Sequence, residues 1–168
     1  MKKMFLTLVA LTAFAYNSFA DDLFDLEEDS FGFGVWFDYP EKIEKKDIEG
    51  LGIGLPVISC RDLEGASLAL CGNKGKEVSG VQLACLGFNI AESLSGVQLS
   101  FVNIQERQHD DFALQIGAYN QSGKNGIQLG FINHGKNNAA FQLGLININK
   151  NGFFPVMIFV NFGKDLFD

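Results

Sequence analysis

The chain is poor in histidine, cysteine, basic residues and long apolar runs, and each shortage closes off a class of function. Its two histidines, His109 and His134, both stand in polar, turn-like segments. No serine or cysteine nucleophile therefore has a base at a recognisable motif spacing. His109-Asp110-Asp111 has no second ligand cluster at a metal-binding spacing and reads as a solvated turn. In an extended chain the acid pairs Glu27-Glu28 and Asp110-Asp111 point to opposite faces, so neither converges on one bond. No glycine-rich phosphate loop precedes a helix. The sequence thus predicts a chain that is not an enzyme, with no catalytic, cofactor-binding or metal-ligating residues and no cofactor.

Thirteen Lys+Arg stand against twenty Asp+Glu, a net charge of −7. Without Lys2 and Lys3 the balance is eleven against twenty, or −9, which argues against nucleic acid or anionic lipid as a partner. The imbalance lies in the front half. Residues 21–80 hold fourteen acids and six bases, and residues 81–168 hold six acids and five bases. No Asp-x-Asp-x-Asp-Gly loop turns that acidity into a calcium site.

The eleven-residue apolar run Phe5 to Ala15 is well short of the roughly 20 residues that span a bilayer. With Met1-Lys2-Lys3 before it and Ser18-Phe19-Ala20 after it, it has the three regions of a secretory signal, with cleavage expected after Ala20. The first cysteine is Cys60, so there is none at the cleavage point for lipid attachment. The organisation predicted is a signal peptide over 1–20, an acidic arm over 21–30 and one β-repeat domain over 31–168. The expected location is the cell surface, outer membrane or periplasm of a bacterium.

Three cysteines in an exported chain leave at least one thiol without an internal partner. Cys71 aligns with Leu86 and Cys85 with Leu70 of neighbouring units, on opposite faces, where they do not easily meet. Three small buried hydrophobes is the expected role, with one bridge left open.

Glycine and glutamine are the residues placed with a pattern. Gly80-Val81-Gln82-Leu83-Ala84 aligns with Gly96-Val97-Gln98-Leu99-Ser100, Ala113-Leu114-Gln115-Ile116-Gly117, Gly126-Ile127-Gln128-Leu129-Gly130 and Ala140-Phe141-Gln142-Leu143-Gly144. Asn103, Asn120, Asn133 and Asn147 follow five residues after their Gln, and the unit of Gln82 runs two residues longer, to Asn89. Weaker copies begin at Gly65, Gly50 and Gly34, and a last one without Gln runs from Phe154 to Asn161. The small marker residue recurs at 34, 50, 65, 80, 96, 113, 126 and 140, a period near fifteen. The first four connectors also share an apolar residue two before the marker glycine: Ile48, Leu63, Val78 and Leu94.

Inside a unit the period is two. Val97, Leu99, Phe101 and Asn103 fall on one side, and Gln98, Ser100, Val102 and Ile104 on the other. The connectors around Gly75, Gly123, Gly135 and Gly152 supply turn residues. The fold class predicted is all-β: about nine strand-turn units of about 15 residues stacked as a β-solenoid, with an up-and-down meander or small barrel as the alternative. The solenoid is favoured because odd and even units look alike, while the alternate turns of a meander lie at opposite ends. Stacking would align Gln82, Gln98, Gln115, Gln128 and Gln142, and likewise Asn103, Asn120, Asn133, Asn147 and Asn161, into structural side-chain ladders. The Leu129 side of the strand is then the expected core.

The segments Leu55-Pro56-Val57, Leu68-Ala69-Leu70, Gly80-Val81-Gln82-Leu83, Gly126-Ile127-Gln128-Leu129-Gly130-Phe131-Ile132-Asn133 and Phe153-Phe154-Pro155 resemble the bacterial surface-repeat proteins first named from Leptospira. The resemblance covers roughly residues 31 to 164. It implies an exported surface or envelope protein, carries over no catalytic residue, and makes the degenerate first units and the Gln-less last one look like end caps. The function expected is a non-catalytic structural or binding scaffold, with a small outer-membrane barrel as the alternative. Its expected partner is an unidentified surface or envelope ligand and not nucleic acid, with membrane association and oligomeric state left open.

Overall fold

A computed structural model describes residues 30–36, 45–107, 112–123 and 126–164. The expected leader, nearly all of the acidic arm and the His109-Asp110-Asp111 segment lie outside the described residues.

Among the described residues eleven strands form the fold: β1 (Phe31–Gly34), β2 (Ile48–Gly54), β3 (Val57–Ser59), β4 (Asp62–Ala69), β5 (Gly72–Ala84), β6 (Phe88–Leu99), β7 (Val102–Gln105), β8 (Ala113–Ser122), β9 (Gly126–Gly135), β10 (Phe141–Asn149) and β11 (Val156–Phe162). Strands β1 to β10 pair in parallel, and only β10 with β11 is antiparallel. The chain is a β-solenoid of about six coils. A meander or an up-and-down barrel would need antiparallel neighbours throughout, so the parallel ladder replaces both alternatives.

Each coil has two strand stretches separated by a bend. The first stretches stack Gly50, Gly65, Gly80, Gly96, Ala113 and Gly126 in register. The second stretches stack Gly72, Phe88, Val102, Tyr119, Ile132 and Ile146. In β5 the second stretch of one coil continues through the connector into the first stretch of the next. The connector there needs a backbone only glycine adopts readily: φ is +145° at both Gly80 and Gly96.

The ends depart from the expected register. Phe31 pairs with Leu51 and Gly34 with Gly54, so the equivalent of Gly50 is Ser30 and not Gly34. The last copy reverses direction, which sets Asn161 opposite Gln142 instead of in line with Asn147, whose partner is Met157.

The interior also inverts the expected faces. Gln98 and Asn103 are both fully buried, while Leu99 and Phe101 are exposed. The reason is the bend at Ser100-Phe101. A Gln and an Asn five residues apart lie on opposite faces of an unbroken strand, and the bend shifts the alternation so that both point inwards. The core is therefore polar over most of its length. At the front it is apolar: Ile48, Leu63, Val78 and Leu94, the shared connector residues, join Ile58, Cys60 and Ala91 in one buried cluster. The column ahead of Gln82 runs Gly52, Ser67, Gln82, and a side chain at Gly52 would meet the tips of Ile58 and Ile48.

Candidate functional site

Two columns of side-chain amides run up the inside of the solenoid. Gln98 Nε2 donates to Gln82 Oε1 at 2.8 Å, Gln115 to Gln98 at 2.9 Å, Gln128 to Gln115 at 3.0 Å and Gln142 to Gln128 at 2.7 Å. In the second column the sense is opposite. Asn73 Nδ2 donates to Asn89 Oδ1 at 2.8 Å, and the chain continues through Asn103, Asn120 and Asn133 to Asn147 at 2.8–3.1 Å. Each Gln donor points to the preceding coil and each Asn donor to the following one.

The second proton of most of these amides bonds the backbone. Gln115, Gln128 and Gln142 reach across their own coil to the carbonyls of Gln121, His134 and Ile148, tying the two stretches together. The amides from Asn73 to Asn133 take the carbonyl at the end of the next coil's first stretch, as Asn103 takes Ile116 and Asn120 takes Leu129. This requires close approach: a Cβ on Gly130 would lie 2.6 Å from Asn120 Nδ2. Buried amides carry a large desolvation penalty unless bonded, and here the amide–amide bonds of both columns are buried.

The expected ladder residues from Gln82 to Gln142 and from Asn103 to Asn147 thus meet one another, and Asn161 does not join them. Its Nδ2 donates to the Phe154 carbonyl and its Oδ1 accepts from the Phe162 amide. Asn73 and Asn89 belong to the column although the Gln-plus-five rule misses them. Asn89 follows a bend two residues longer, where Cys85 and Leu86 are exposed, and Asn73 follows Ser67, which stands where later coils have Gln. Gln105 and Asn149 are fully buried polar residues that the repeat pattern did not mark. Asn149 closes its connector by exchanging hydrogen bonds with both backbone groups of Ala139.

Outside, the order is reversed. Leu86, Phe101, Phe131 and Leu145 stand out from the bends, and Leu99, Ile132 and Ile146 are among the exposed apolar residues on the flanking stretches. Two open apolar clefts lie at the far end, one against Phe153, Phe154, Met157 and Phe162, the other against Leu129, Phe131, Leu143 and Phe159. The ion pairs sit on the connector side: Arg61 with Asp47 and Asp62, and Arg107 with Glu92 at 2.6 Å.

No family model, curated protein or solved structure matches the chain. The candidate site therefore rests on the chain's own geometry, and that geometry points to the outer surface. His134 is half-buried on β9, in register with Gln121 and Ile148. Among the described residues no group of three or more His, Cys, Asp and Glu could hold a metal ion.

The cysteines are all free and differ in setting. Cys60 is buried, Cys71 half-buried and Cys85 exposed, so the expectation of three buried hydrophobes holds only for Cys60. Burial, then the charges of Asp62 and Asp47, push the Cys60 thiol up to about 12. At pH 8 Cys60 is a thiol, and the attacking species in disulfide exchange is the thiolate. An aromatic disulfide reagent at that pH is expected to label Cys85 quickly and Cys60 only after denaturant is added. Labelling of Cys60 at the rate of Cys85 in the folded chain would show that the front of the core is open.

Proposed function

We propose that the chain is an exported, non-catalytic scaffold of the bacterial envelope that works through its outer surface. One observation carries this reading: the amides a strand repeat could turn towards a substrate are bonded to each other inside, from Gln82 to Gln142 and from Asn73 to Asn147, and large apolar side chains stand outside. An interior built this way holds a long, regular surface in place, and contiguous exposed apolar surface of this extent marks an interaction site. The Met1-Lys2-Lys3 to Ala20 pattern and the resemblance to surface-repeat proteins support export.

The full chain, expressed in a Gram-negative host, is expected to leave the cytoplasm and to begin at Asp21 by N-terminal sequencing. Recovery of an uncleaved chain beginning at Met1 in the cytosolic fraction would refute the export half of the proposal.

A further inference from the structure

The distribution of charge along the repeat identifies what the outer surface meets. From residue 78 onwards the segments 78–91, 94–105, 112–123, 126–135, 139–149 and 152–163 contain no Asp, Glu, Lys or Arg. Every ionised side chain of that region falls between them, at Glu92, Glu106, Arg107, Asp110, Asp111, Lys124, Lys136, Lys150 and in the tail from Lys164. These gaps are the connectors. Among the described residues from 78 onwards, Glu92, Glu106, Arg107, Lys136 and Lys150 lie on the connector side, and the two strand faces and the bend between them are free of charge.

The shape of the charge-free region discriminates between occupants. Each face is about six strands by four residues, roughly 380 Å² at about 4.8 Å between strands and about 3.3 Å per residue. A stable protein interface needs about 800 Å² per partner. One face falls short of that, and the two together reach it only around a convex bend crested by Leu86, Phe101, Phe131 and Leu145. A flat partner, a second copy included, covers one face at a time, whereas a fluid of acyl chains covers both. The acidic arm, with only Leu23, Phe24 and Leu26 as apolar residues, is too small to do so.

The rest of the coil meets the requirements of lipid. Within hydrocarbon every backbone polar group needs an internal partner, and the internal coils, stacked in parallel with amide-filled interiors, supply one, which leaves, among the described residues, the outer edges of β1 and β11 at the two ends of the stack without a ladder partner. We infer that the two charge-free faces and their bend are buried in the acyl-chain region of a membrane, with the connector corner in water. This deepens the scaffold reading by naming the partner of the same surface. Residues 81–168 carry six acids and five bases, so the attraction is apolar and not electrostatic.

The test uses the full chain with uncharged phosphatidylcholine vesicles. The chain is expected to float with the vesicles, with binding changed less than about twofold between low and roughly 1 M salt. Phe101→Ser with Phe131→Ser should weaken binding about tenfold or more, while Lys136→Ser with Lys150→Ser should not. For depth, the single Trp36 is changed to Phe and a tryptophan is introduced as Phe131→Trp or, separately, Lys136→Trp. Lipids brominated in mid-chain should quench the first and leave the second unquenched. Flotation without quenching of the Phe131→Trp chain would assign binding to the leader and overturn the inference. So would failure to float with a sedimentation-detected dimer that Phe101→Ser with Phe131→Ser dissociates, which would make a second copy the occupant. Failure to float as a monomer would overturn it as well. All three results leave the N-terminal sequencing of the exported chain unaffected, so the two proposals fail separately.

Discussion

A Gln115→Ala chain is expected to lose about 3–5 kcal/mol of stability in water, and a Leu129→Ala chain about 1 kcal/mol. A reading of the repeat by hydropathy gives the opposite order. Gln115 is fully buried, donates to Gln98 Oε1 and the Gln121 carbonyl, and accepts from Gln128 Nε2. Alanine removes three hydrogen bonds, strands the Gln98 acceptor and opens a void, and each orphaned buried group costs about 1–3 kcal/mol. Leu129 sits on the outer face and is already partly exposed, so truncation removes only part of a transfer energy of about 1.5–3 kcal/mol. Denaturant midpoints of the two variants settle the order, and equal losses would mean that the faces are wrongly assigned. Asn120→Ala should behave like Gln115→Ala, because its amide serves the Asn133 oxygen and the Leu129 carbonyl and its oxygen accepts from Asn103.

The second large effect is expected at the connector glycines. Gly80→Ala should cost more than about 3 kcal/mol, because the new Cβ would lie 2.0 Å from the Gly65 carbonyl oxygen at a backbone φ of +145°. Relief requires prising two coils apart. Gly126→Ala provides the contrast, with an expected loss of about 1 kcal/mol. Its position is already Ala113 in the preceding coil, and its Cβ would meet the Ser122 side chain instead of a carbonyl. Circular dichroism melts of the two variants should separate widely. Equal melting temperatures would show that the glycine column is not what sets the coil spacing.

The repeat was legible because stacking demands register. A small marker residue, Gly or Ala, followed two residues later by Gln, at a period near fifteen, places Gln82, Gln98, Gln115, Gln128 and Gln142 over one another, and the hydrogen bonds follow that line. The shared residues Ile48, Leu63, Val78 and Leu94 were equally readable and prove to be the apolar part of the core. The inside was harder to tell from the outside, since a period of two is unchanged when the faces are swapped and hydropathy alone sends Leu129 inwards. The clue lay in the odd interval between Gln98 and Asn103: two ladders can share one interior only if a bend between them shifts the alternation. The ends were harder still. A strand reads alike in either direction, so nothing in Val156-Met157-Ile158 announced that β11 runs backwards and carries Asn161 to the Gln column. Gly34 was misplaced because the spacing from Ser30 to Gly50 is longer than any between the later markers.

The amide ladders have loose ends. Gln82 Nε2, Gln142 Oε1 and Asn73 Oδ1 are buried without a hydrogen-bond partner. That penalty belongs to the termini and is the same whether the stack is short or tall, while every coil inserted between them adds one Gln–Gln and one Asn–Asn link of its own. Duplicating an internal unit therefore dilutes a constant burden over more favourable joints. The architecture is open to growth or shrinkage by whole repeats, and its height can be retuned by copying DNA instead of redesigning a core.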